Sequence, residues 1–207
     1  LDNTPPVRTI TYDPDKRTAG PVIAYLSVNE PVTITNPADG KGEHVFTDNG
    51  EFTFEFVDEA GLTGTATAVV DYIDKGLPTY NVSYSTTDWT NQQVVVTVDV
   101  SGEPPRELYG FVSDVDAELL STVEREDGTI TQAVYRFTEN GRLDFFVRDI
   151  ETGIETEGNA IVRNIDTAMP TYQLVFSETD WTNKDVVVTI FAQDDDGSEV
   201  QITDAGA

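Results

Sequence analysis

The 207-residue sequence predicts an all-β chain of small antiparallel β-sandwiches set in tandem, on three observations. Apolar residues recur with period two rather than 3.6, turn residues punctuate the chain at roughly 8–12-residue intervals, and whole segments return at a fixed offset.

The period-two segments come first. Phe52, Phe54 and Phe56 alternate with Thr53 and Glu55; Leu143, Phe145 and Val147 alternate with Asp144 and Phe146. Tyr80, Val82 and Tyr84 form one face of another strand, and Ala66, Ala68, Val70 and Tyr72 one face of a fourth. One face of each can be buried and the other solvated, as antiparallel sheets allow. Asn49-Gly50 and Asn140-Gly141 combine residues that accept positive φ, so each predicts a tight hairpin turn. The best helical segment is 116–125, which lacks a sustained stripe and caps.

The repeat fixes the organisation. Trp89-Thr90-Asn91 before Val94-Val95-Val96-Thr97-Val98 returns 92 residues later as Trp181-Thr182-Asn183 before Val186-Val187-Val188-Thr189-Ile190. Pro78-Thr79-Tyr80 returns as Pro170-Thr171-Tyr172 at the same offset. Phe46-Thr47-Asp48-Asn49-Gly50 returns as Phe137-Thr138-Glu139-Asn140-Gly141, Asp58 matches Asp149, and Ile73-Asp74 matches Ile165-Asp166. A weaker opening in the first copy sets Thr18 against Thr90 and Val22 against Val94. The expected units are 1–75, 76–167 with an insertion near 101–133, and 168–207 as the truncated start of a third. Prolines near the joints stiffen the linkers, so beads on a string are expected. The truncated unit, and an opening at Leu1 without Met, lead us to expect a piece of a longer polypeptide.

These motifs resemble bacterial immunoglobulin-like repeats of large Gram-positive surface proteins. They are the Pro-Thr-Tyr opening, Asp-Trp-Thr-Asn before the Val-rich strand, the Phe-Thr-x-Asn-Gly-x-Phe-x-Phe segment and the Ile-Asp exit. The resemblance covers essentially the whole chain. It implies tandem immunoglobulin-like antiparallel sandwiches and a location at the cell surface or outside the cell, in an S-layer protein, an adhesin or a multidomain secreted enzyme.

Composition excludes several functions. Against 38 acidic residues stand 12 basic ones, for a net charge of −26, so phosphate-rich nucleic acid and anionic membranes are poor partners. The charge is distributed: 13 acids against 5 basic residues in 1–75, 17 against 6 in 76–167, and 8 against 1 in 168–207. With no cysteine and one histidine, His44, neither a thiol nucleophile nor a multi-histidine zinc site can be built. His44 follows a Gly-rich turn without any nucleophile motif and reads as an exposed loop residue. No catalytic constellation stands out, and a non-enzymatic role is expected.

Calcium is the expected cofactor, because hard cations take six to eight oxygens and the oxygens sit at repeated positions. The candidate ligands are Asp58 and Asp149 at equivalent strand ends, with Asp71, Asp74 and Asp166 at the unit exits. Asp2-Asn3 and Asp194-Asp195-Asp196-Gly197-Ser198 are further oxygen-dense segments. The competing role for these aspartates is turn formation. Trp89 and Trp181 hold one framework position, which favours a structural aromatic over a sugar-stacking platform. The expected function is a structural spacer or assembly module whose partners are neighbouring repeats, further copies or a surface ligand. The alternatives are a carbohydrate- or protein-binding module with 101–133 as its recognition loop, and a spacer of a secreted glycoside hydrolase.

Overall fold

The computed structural model describes residues 6–36, 40–194 and 200–202. Every regular element among them is a strand, and no helix occurs among the described residues. Two compact units are present. The first is Leu1–Thr79 with Ser101–Glu107 and Val147–Thr156; the second is Tyr80–Val100, Leu108–Phe146 and Glu157–Ala207.

In the first unit the period-two segments become β1 (Arg8–Asp13), β2 (Val22–Val28), β3 (Val32–Asn36), β4 (Glu43–Phe46), β5 (Gly50–Asp58) and β6 (Thr63–Val70). They form two antiparallel sheets, β1-β2-β4 and β3-β5-β6. Alternation turns Val22, Ala24 and Phe46 of one sheet, and Phe54, Phe56, Ala66, Ala68 and Val70 of the other, into one shared core. Each fully buried phenylalanine contributes about 1.5–3 kcal/mol relative to exposure. Gly64 lies opposite Phe56, and a Cβ there would stand 2.4 Å from the ring, so the ring's packing requires glycine.

The remaining strands are β7 (Asn81–Tyr84), β8 (Val94–Asp99), β9 (Arg106–Ser113), β10 (Glu118–Glu124), β11 (Ile130–Phe137), β12 (Gly141–Asp149) and β13 (Glu155–Val162). They form the sheets β10-β11-β8-β7 and β13-β12-β9. In the second unit Val94, Val96 and Val98 of β8 and Ala133 and Phe137 of β11 are buried, as are Leu143 and Phe145 of β12. Tyr80 and Phe145 meet edge to face at 5.1 Å. The strand order repeats that of β1–β6 with one addition. The addition is β10, an edge strand supplied by the 101–133 segment.

Two sequence expectations need correction. Segment 116–125 is not helical: Glu118–Glu124 pair with β11 as β10. Its Leu-Leu pair suits a helix, but the free edge of β11 supplies ladder hydrogen bonds that override this local preference. The Asn-Gly pairs are not hairpin turns either. Among the described residues no non-glycine residue has positive φ, and neither Gly50 nor Gly141 does. β4 and β5 belong to different sheets, as do β11 and β12, so each pair marks a crossing between sheets. The tight β5–β6 and β12–β13 turns instead place Gly61 at φ 88° and Gly153 at φ 71°, where L side chains are strained.

Beyond these, β14 (Thr171–Phe176) and β15 (Val188–Gln193) form a two-stranded sheet, with nearly every residue exposed.

Candidate functional site

The equivalent aspartates Asp58 and Asp149 end β5 and β12 and organise the following turns. Asp58 Oδ1 accepts from Leu62 N at 2.7 Å, and Gly61 N donates to Asp58 O at 3.2 Å. Asp149 Oδ1 accepts from Glu151 N at 3.1 Å and Thr152 N at 2.9 Å, and Gly153 N donates to Asp149 O at 2.9 Å. Both are deeply buried, with 8% and 2% exposure. A carboxylate at that depth needs a compensating charge or hydrogen bonds.

At Asp149 the compensating charge is Arg17. Its Nη1 donates to Asp149 Oδ1 at 2.9 Å and its Nη2 to Asp149 Oδ2 at 2.8 Å. Nη2 also donates to Asp74 Oδ2 at 2.7 Å, and Nη1 to Glu151 Oε2 at 3.1 Å. All four residues belong to the first compact unit. This is the forked geometry in which arginine binds carboxylates strongly. The Asp149 bond, with Asp74 and Glu151 after it, raises the Arg17 pKa above its already high value, against the effect of burial. Burial alone would push the Asp149 carboxyl up; Arg17 and the Thr152 amide outweigh it and hold it below the usual carboxylate range. Asp74 is also held low, chiefly by Arg17.

The structure therefore brings together two of the five proposed calcium ligands, Asp74 and Asp149, on a guanidinium. A calcium ion would meet Arg17 where they converge, so these residues do not fit the ion there. Asp71 is exposed after β6. Asp166 Oδ1 accepts from Ala168 N at 2.9 Å, as Asp74 Oδ1 does from Gly76 N at 2.8 Å, so both exit aspartates make the same local turn. Asp58 stands apart, in a cleft with Glu30 and Glu59. Among the described residues no three His, Asp or Glu side chains are grouped so as to hold a metal ion. Asp2, Asn3, Asp195, Asp196, Gly197 and Ser198 lie outside the described residues.

The exits themselves are built alike. Asn49 donates through Nδ2 to Ile73 O at 3.0 Å and accepts from Ile73 N at 2.8 Å. Asn140 does the same with Ile165, at 2.8 Å in both directions. Thr18 bridges Ile73 and Thr90 bridges Ile165. The asparagine of each Asn-Gly pair thus clamps the exit chain by its side chain.

Trp89 is about half exposed. It lines an open cleft of about 370 Å³ with Tyr84, Thr86, Ile161, Arg163 and Asn164. The Tyr84 hydroxyl accepts from Ile161 N at 3.1 Å. Trp181 is fully exposed. His44 is not an exposed loop residue: it lies half-buried in β4, stacked on Phe52 at 3.7 Å. Burial lowers its pKa.

Sequence reasoning missed Arg17 and Glu30. Arg17 precedes Thr18 as Trp89 precedes Thr90, so the repeat alignment puts a cation at the tryptophan position of the first unit. Scarce cations in an acidic chain are the signal that could have found it. No family model, curated protein or solved structure matches the chain.

Proposed function

We propose that this chain is a non-catalytic structural module, a spacer or assembly segment made of tandem immunoglobulin-like sandwiches in a bacterial cell-surface or secreted protein of the S-layer or adhesin-stalk kind. One observation carries the reading: residues that recur between the units serve the framework. Asn49 and Asn140 clamp Ile73 and Ile165, and Thr18 and Thr90 bridge to the same two residues. A module reused along a polypeptide needs such position-by-position duplication of its frame, whereas a catalyst needs residues unique to one cleft. Partners on this reading are neighbouring repeats, further copies or a surface ligand.

Single-molecule pulling on the chain between inert handles tests it. A spacer of separately folded repeats gives two unfolding events per molecule. Fully extended residues span about 3.3–3.6 Å each, so the length gains are about 25 nm for 1–75 and about 30 nm for 76–167. One merged event, or featureless extension at low force, would count against the spacer.

The Trp89 cleft favours a second reading, a carbohydrate-binding module. Its volume lies in the range of small-ligand sites, and an indole beside Arg163 and Asn164 offers a stacking face with polar neighbours. On a glycan array this reading requires a signal that Trp89→Ala abolishes.

A further inference from the structure

Asp58 Oδ2 is the one buried carboxylate oxygen without a hydrogen-bond partner among the described residues. Asp58 is 8% exposed and lines a cleft of about 330 Å³ with Glu30, Pro31, Glu59 and Ala60. Three carboxylates at one cleft, one of them buried with a bare oxygen, call for a cation.

The chain itself contains the solved version of this problem. Asp149 occupies the equivalent position, ends the equivalent strand and caps a turn one residue longer. Its Oδ1 is used by the turn amides, as Asp58 Oδ1 is used by Leu62 N. Its Oδ2 takes Arg17 Nη2 at 2.8 Å, while Glu151 on the same turn takes Nη1 at 3.1 Å. Asp149 is 2% exposed with the arginine in place. At Asp58 a turn one residue shorter, a used Oδ1 and a turn glutamate, Glu59, directly after the aspartate, are present. Among the described residues no arginine is bonded to Asp58 Oδ2.

We infer that the Glu30–Asp58–Glu59 cleft is a receptor for an arginine side chain donated by another polypeptide segment, held on Asp58 Oδ2 and Glu59 as Arg17 is held on Asp149 and Glu151. Guanidinium is favoured over a metal ion because the forked donor matches two neighbouring carboxylates, and because no three acids here are grouped for metal coordination. The site does not depend on the spacer reading; a binding module could use it equally.

The test is an NMR titration of the ¹⁵N-labelled full chain with N-acetyl-arginine amide. N-acetyl-lysine amide, calcium chloride and sodium chloride at matched ionic strength serve as comparisons. Arginine amide should move the amide signals of Glu59, Ala60, Gly61 and Leu62 saturably, and more than any of the other three. Asp58→Asn keeps the oxygen that accepts from Leu62 N, and should weaken the response at least about tenfold. If Asp58→Asn does not fold, Glu30→Gln with Glu59→Gln, which leaves the turn aspartate intact, must weaken it instead. Dilution of the unliganded chain separates the sources. Concentration-dependent shifts at 59–62 assign the donor to a second copy, and concentration-independent spectra assign it to a different chain. An equal response to lysine amide or sodium chloride, a calcium response that saturates first, or a response surviving the substitutions would overturn the assignment.

Discussion

Arg17 controls the balance at the Asp149 turn, and its removal should be costly. Arg17→Met keeps the apolar stem but leaves Asp149 buried with only its turn amides. Breaking one side of a buried pair costs about 3–5 kcal/mol; with Asp74 half exposed and the turn bonds kept, about 2–3 kcal/mol is expected in denaturant unfolding. The pH dependence gives a second readout. Asp74 and Asp149 have depressed carboxyl pKa values, so their contribution is full above the unfolded value of about 3.9 and is lost as pH falls through the folded values. Without Arg17, burial of the Asp149 carboxylate is opposed only by the Thr152 bonds, so protonation costs the variant less than wild type. The stability gap between wild type and Arg17→Met should therefore shrink as pH falls below about 4; a gap independent of pH would rule out the charge explanation. His44 acts in a different window. Burial lowers its pKa, so its contribution is full above about 6.5 and is lost as pH falls from there. His44→Gln should flatten the stability profile below about pH 6.5, measured by urea unfolding.

At the scale of elements, what the sequence made legible was what repeats with period two. β5, β6, β8 and β12 follow from Phe52-Phe54-Phe56, Ala66-Ala68-Val70, the Val94 run and Leu143-Phe145-Val147 because burial of one face is a local property. Pairing partners are not local. Asn49-Gly50 has a turn's composition, yet it joins strands of different sheets, and Asn49 is used for its side-chain bonds to Ile73, 24 residues away. Residues 118–124 became a strand because β11 offers an edge, which composition does not record. Asp58 and Asp149 were identifiable by position, but Arg17, 132 residues from Asp149, was not. The weakest element is the β14–β15 pair. Its strands expose Tyr172, Phe176, Ile190 and Phe191, and two-stranded sheets are marginal in water. Hydrogen exchange at 171–193 should be at least about a hundredfold faster than in β5 and β12 of the same chain. Equal protection would mean that another sheet covers this pair.

Over the whole molecule, a net charge of −26 sets a repulsive background that salt relieves within a Debye length of about 10 Å at 0.1 M. The calcium expectation can be separated from that background. In wild type, Asp74, Asp149 and Glu151 already share a guanidinium, so millimolar calcium should raise the melting temperature no more than sodium chloride at equal ionic strength. Arg17→Met removes that cation and leaves three carboxylates without their shared donor, and these oxygens must reorient to surround a hard cation. Calcium should then stabilise the variant specifically. At a tenfold excess over Kd the gain is about 1.4 kcal/mol, by RT ln(1 + [L]/Kd). For a domain of this size that is a shift of several degrees, reversed by chelator. Asp74→Asn in the Arg17→Met background should reduce it. A calcium-specific shift in wild type that Asp74→Asn or Asp166→Asn abolishes would reverse the conclusion: the exit aspartates would then bind metal, and Arg17 would be a competitor for them rather than their resident counter-ion.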